Sequence, residues 1–169
     1  ISLDSMAVLA EQPNIVAVKE STEDTRRISE LYNRFGNRFT VFSGVDDIAL
    51  ESLMLGATGW ISGLTNVFPQ ESVAIYNLAK QGRYAEALAI WRWFLPLLRL
   101  DTIPTLVQCI KLAEQLLERL NVSLSQLSPR QQQIFILSRL HGHSYLEIAE
   151  KLDVSLSTVQ KELKLIMAI

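Results

Sequence analysis

"NIVAVKESTED", residues 14–24, decides how the chain is read. β-branched and small apolar residues lead up to Lys19, the composition of a strand covered on both faces. Ser21 and Asp24 then have the spacing of a capping box and open a helix that runs to Gly36. A strand that passes straight into a helix is half of a parallel βα unit. The pattern recurs twice. Residues 39–43 read as a strand, Gly44 as a turn, and Asp46 as the cap of a helix that Gly56 ends. Residues 58–62 read as a third strand closed by Gly63, and Pro69 opens a helix that closes near Gly82. Upstream, residues 5–11 read as the end of a helix stopped near Pro13. Downstream the strand signal ceases, and residues 84–95, 104–120, 130–140, 145–152 and 157–168 all carry helical periodicity. The expected fold class is α/β followed by all-α.

Composition narrows the function classes. Of 169 residues 49% are apolar, enough for a real core, and the formal charge of −2 draws the chain as a whole toward neither nucleic acid nor membrane. A single cysteine, Cys109, excludes an internal disulfide and fits a cytoplasmic setting. No run approaches the roughly 20 apolar residues of a membrane span. The chain opens on Ile1, directly in helical pattern, so further sequence is expected upstream. Residues 121–129, with three serines and Pro129, read as a linker between a domain at 1–120 and a second at 130–169.

Lys19 sets the chemical question. In a parallel barrel, alternate side chains point inward, so Lys19 is expected to share a face with Ala17 and Ile15, while Val16 and Val18 face helices. The next two strands end in "SGVDD" (43–47) and "GWISGLTN" (59–66), which bring Ser43, Ser62 and Asn66 to the strand ends where barrel sites lie. A lysine amine attacks a carbonyl only when unprotonated, which requires burial. The plain alternative is a strand that has reached water.

"NIVAVKEST" (14–22), "FSGVDD" (42–47) and "GATGWISGLTNVFP" (56–69) resemble the last three strands of the dihydrodipicolinate synthase and N-acetylneuraminate lyase family. "EALAIWRWFLPLLRLDTIPTLVQCIKLAEQL" (86–116) resembles its C-terminal helices, especially those of members acting on pyrroline carboxylates. The resemblance covers about residues 1–118. It implies part of a (β/α)8 barrel, with Lys19 as the Schiff-base lysine. It also implies that Gly44, Ile61, Ser62 and Gly63 line a 2-keto-acid pocket. No cofactor or metal is expected. The family barrel has eight strands and this chain shows three. The Thr-rich carboxylate-binding turn and the proton-relaying tyrosine have no counterpart, since Tyr32, Tyr76, Tyr84 and Tyr145 all fall on helices. Three strands cannot close, so the edges are expected to self-associate and the lyase site to be inactive alone.

"SPRQQQIFILSRLHGHSYLEIAEKLDVSLSTVQKEL" (128–163) is a different object. Ile148, Leu152, Val154, Val159 and Leu163 are spaced as two helices packed across a tight turn, with Ser155 as a cap. "YLEIAEKLDVSLSTVQ" (145–160) resembles region four of the extracytoplasmic-function sigma factors of the iron-transport group, over about residues 124–168. That resemblance implies a helix-turn-helix that enters the major groove of a promoter −35 element and docks on RNA polymerase. It maps Ser155, Ser157, Thr158, Gln160, Lys161 and Lys164 onto the DNA-facing side, and it brings Glu162 near the phosphates, where a carboxylate opposes binding. Region two of a sigma factor is absent. His141 and His143 read as loop residues, Trp60, Trp91 and Trp93 as packing residues, and Cys109 as core.

Three readings follow. In the first, the chain joins an incomplete lyase barrel to a DNA-binding module, and only the latter is active. In the second, another chain supplies the missing strands and restores a Schiff-base lyase. In the third, the chain is a structural or interaction protein.

Overall fold

A computed structural model describes residues 1–167, so Ala168, the expected end of the last helix, lies outside the described residues. The chain divides into two compact units, Ile1–Ala113 and Glu114–Ile169.

The first unit holds α1 (Leu3–Ala10), β1 (Ala17–Glu20), α2 (Arg26–Phe35), β2 (Thr40–Ser43), α3 (Ala49–Met54), β3 (Gly59–Trp60), α4 (Pro69–Lys80), α5 (Tyr84–Leu98) and the start of α6 (Leu106–Ser125). The strands form one parallel sheet in the order β1-β2-β3. Lys19 pairs with Phe42, and Phe42 with Gly59. Helices α1 and α2 cover a core of Met6, Ile28, Leu31, Phe39, Val41 and Ala57. A second core joins α3, α4 and α5 through Leu50, Leu53, Ile75, Trp91, Phe94 and Leu98. Each large apolar side chain buried there contributes roughly 1.5–3 kcal/mol.

Several expectations shift. Strand β1 starts at Ala17 rather than Asn14. Ile15 packs into the helix-covered core while Val16 is 60% exposed, so Ile15 does not share the face of Lys19. The cause is Arg38. Its guanidinium donates to the carbonyls of Ala10, Gln12 and Ile15 at 2.9, 2.6 and 2.8 Å and bends the lead-in away from a regular strand. The Ser21–Asp24 capping box does not form. Thr25 occupies the cap position without a side-chain bond, and Asp24 instead accepts from the Arg26 backbone and guanidinium. Trp93 is 65% exposed, whereas Trp91 is buried as expected. Cys109 is half-buried rather than core.

The second unit holds the rest of α6, then α7 (Pro129–Phe135), a π-type turn (Ile136–Leu140), α8 (Tyr145–Lys151) and α9 (Leu156–Ile166). Its core is Leu127, Ile134, Ile148, Ala149, Val159, Leu163 and Ile166. The expected linker at 121–129 is helical through Ser125, whose hydroxyl donates to the Val122 carbonyl at 2.7 Å. Ser128 with Gln131 and Ser144 with Glu147 form full capping boxes on α7 and α8. Asp153 takes φ 51 between α8 and α9, a left-handed turn that aspartate tolerates better than most residues. Among the described residues, no helix is long and apolar enough to cross a membrane.

Candidate functional sites

Lys19 lies on β1, the edge strand of the sheet, and its side chain is exposed. It passes directly over Gly44. A Cβ built on Gly44 would stand 2.7 Å from both Cγ and Cε of Lys19 and 2.2 Å from the Ser21 hydroxyl oxygen. A side chain here would have to push the Lys19 and Ser21 side chains aside, so Lys19, Ser21 and Gly44 form one cluster. The remaining pocket residues predicted from sequence stand in the turn after β3. Ile61 is 48% exposed and donates its N–H to the Ser43 carbonyl at 2.9 Å. The Ser62 hydroxyl accepts from Thr65 N–H at 3.0 Å, and the Gly63 carbonyl accepts from the Asn66 amide at 2.8 Å. The polar groups of this turn are thus engaged within it.

The residue that organises this end of the sheet is Asp46, which the sequence presented only as a helix cap. It is fully buried. Its carboxylate accepts from Trp60 Nε1 at 2.9 Å and from Leu64 N–H at 3.0 Å, while its own N–H donates to the Asp101 carboxylate at 2.8 Å. Burial pushes the Asp46 carboxyl above the ordinary range, against the bonds from Leu64 and Trp60 that favour the charged form. Asp46 does not cap a helix. It fixes the turn after β3 to the end of β2, and so positions Ser62 and Gly63. An Asp-Asp pair separated from a strand-end glycine by one valine, with an indole on the next strand, was the available signal.

In the second unit, α9 presents Ser157, Gln160, Lys161 and Lys164 to solvent while Val159, Leu163 and Ile166 are buried. Ser155 caps α9, its hydroxyl accepting from Thr158 N–H at 3.1 Å and lying 2.9 and 2.8 Å from the Ser157 and Thr158 hydroxyls. Ser155 and Thr158 therefore serve first to start the helix. Glu162 does not lie among the outward residues. Its side chain is 15% exposed and turns onto α7, where it accepts from Arg130 at 3.2 Å and from the Gln131 amide at 2.8 Å. The position explains the misreading: Glu162 stands between Val159 and Leu163 on the flank of the buried stripe. His143 lies 2.7 Å from the Lys151 ammonium, as a loop residue. No group of three or more His, Cys, Asp or Glu side chains among the described residues is placed to hold a metal ion.

These features define a piece of a parallel βα barrel with a strand-end lysine, followed by a three-helix unit of helix-turn-helix form. The profile of the dihydrodipicolinate synthetase family matches residues 1–131, and that of Sigma-70, region 4, matches residues 117–168. The chain belongs to the dihydrodipicolinate synthetase family. It is 44% identical over 91 residues to the 4-hydroxy-tetrahydrodipicolinate synthase of Aquifex aeolicus, a match covering 53% of this chain and 31% of that protein. The corresponding enzyme of Pseudomonas aeruginosa is 39% identical over 89 residues, covering 53% of this chain and 30% of its own length. The crystal structure of dihydrodipicolinate synthase from Aquifex aeolicus matches with a TM-score of 0.58 at 40% identity, over 62% of this chain and 36% of that one. The Acinetobacter baumannii enzyme, crystallised with pyruvate, matches with a TM-score of 0.58 at 30% identity, over 63% of this chain and 38% of that one. The chain spans about a third of the length of the curated relatives it matches.

Proposed function

We propose that the function this chain carries by itself is that of its C-terminal unit: binding of duplex promoter DNA, with RNA polymerase as protein partner. The supporting observation is a complete core beneath an outward face. Seven buried residues hold α7, α8 and α9 together, and α9 offers Ser157, Gln160, Lys161 and Lys164 on one side. Lysines there neutralise phosphates, and the serine and glutamine reach phosphates or base edges. With two lysines on the face, binding is weak and its sequence preference small. The test is a fluorescence-anisotropy titration of the full chain with a −35-like duplex and a scrambled duplex. Saturable binding to both, with a modest preference for the first, supports the reading, and no binding at low salt overturns it.

A second reading keeps the lyase. The position of Lys19 beside Gly44 at the strand end favours it. The Acinetobacter relative was crystallised with pyruvate, which nominates a 2-keto acid as the carbonyl partner. Among the described residues the amine stands on an exposed edge strand, so this activity requires further barrel strands, from upstream sequence or from another chain. Borohydride reduction with excess pyruvate tests it. Little adduct on Lys19 is expected from the chain alone. Stoichiometric adduct that disappears in Lys19→Ala would show that the site is complete without help.

A further inference from the structure

We infer that Glu162 is a positioning residue of the recognition helix, acting as an internal lock between α9 and the start of α7; this rests on the DNA-binding reading above.

Glu162 uses both carboxylate oxygens. One accepts from the Arg130 guanidinium at 3.2 Å, the other from the Gln131 side-chain amide at 2.8 Å. Gln131 is itself fixed. Its side-chain oxygen accepts from Ser128 N–H at 2.9 Å, and its own N–H donates to the Ser128 hydroxyl at 3.3 Å. The carboxylate thus grips the capping box of α7 rather than a free surface group. It sits 15% exposed beside Val159 and Leu163, whose side chains are buried in the same core. Arg130 is 57% exposed, so the ion pair itself is partly screened, and the more shielded part of the grip is the bond from the Gln131 amide.

The consequence for binding follows from the helix period. Residues 157, 160, 161 and 164 share the side opposite Val159 and Leu163. Apolar ridge-into-groove packing fixes the crossing of a helix only to within a scatter of about 15–20°. A bidentate carboxylate on the flank narrows that scatter. The lock also removes two charges from the DNA side: the carboxylate of Glu162 and the guanidinium of Arg130 satisfy each other. Lys161 and Lys164 are then left as the cations that α9 offers.

This assignment and a DNA-facing Glu162 predict opposite signs. If Glu162 faced phosphates, Glu162→Lys would tighten binding and steepen the salt dependence by about one phosphate contact. If it is the lock, Glu162→Lys sets an ammonium against Arg130, and binding weakens about tenfold. Glu162→Gln keeps the amide bond to Gln131 and loses less. The exchange Arg130→Glu with Glu162→Arg restores the ion pair in reverse, though not the bond from the Gln131 amide, and recovers part of the affinity. The experiment titrates a −35-like duplex with the full chain, wild type and these variants, at two salt concentrations. Amide hydrogen exchange on α9 is measured in parallel without DNA. Expected are weaker binding and faster exchange in Glu162→Lys, and partial recovery of both in the exchanged pair. Tighter binding by Glu162→Lys, or an exchanged pair no better than either single variant, overturns the lock. If the wild type binds no DNA, the DNA reading fails, and the hydrogen-exchange arm still decides whether the lock holds α9.

Discussion

Lys19 and Gly44 occupy one space: a single methyl group on Gly44 would stand 2.7 Å from two carbons of the Lys19 side chain. Gly44→Ala must therefore displace the lysine or shift the strand end. Because the Lys19 side chain is exposed and can swing aside, the loss expected is at the low end for overpacking, about 1 kcal/mol. Lys19→Ala in the same chain should recover part of it, because it empties the contested space. Urea unfolding of both single variants and the double variant measures the coupling. A double variant that is simply additive would mean that the two residues are not in contact.

Asp46 offers a test by pH. Burial raises its carboxyl above the ordinary value of 3.8. The folded state therefore binds this proton more readily than the unfolded state does. Its contribution to stability is full below the ordinary value and is lost as pH rises through the raised one. The stability of the wild type relative to Asp46→Asn should accordingly fall as pH rises from below 4 toward neutrality. Asp46→Ala leaves Trp60 Nε1 and Leu64 N–H without their partner. It should cost about 1–3 kcal/mol for each donor left buried. A stability difference between wild type and Asp46→Asn that does not vary with pH would contradict the burial of the carboxyl.

The sheet edge predicts association. Val16 is 60% exposed beside the start of β1, and among the described residues β1 has a partner on one side only. Such edges pair with other chains unless a charge blocks them. Sedimentation of the full chain should show concentration-dependent species, and Val16→Lys should shift them toward monomer. A monomeric wild type at high concentration would show that the edge is already protected.

Much of the architecture was legible in the sequence. The three strands stood out because each is a short β-branched or aromatic run, the second and third closed by glycine, and the cap at Ser155 stood out because serine precedes the last helical run; the capping boxes at Ser128 and Ser144 come from the structure. The failures have common causes. A charged side chain was read as facing solvent at Glu162, although its flank position made burial with a partner equally open. Local capping rules make Asp46 a helix cap, although the donors that hold it lie on Trp60 and at Leu64, 14 and 18 residues away. Polar composition suggested a linker at 121–129, but Val122 and Leu124 carry the helical pattern onward to Ser125. The lead-in to β1 was read as strand because composition does not show the reach of Arg38.

One titration bears most directly on the DNA-binding role: the salt dependence of duplex affinity for wild type, Lys161→Ala and Lys164→Ala. Each lysine that meets a phosphate adds about −0.9 to the slope of log affinity against log salt, so the wild type should fall near −2. Each alanine variant should flatten the slope by about one and weaken binding at low salt. Affinity that ignores salt, or lysine variants that bind as the wild type does, would show that α9 does not lie on the DNA.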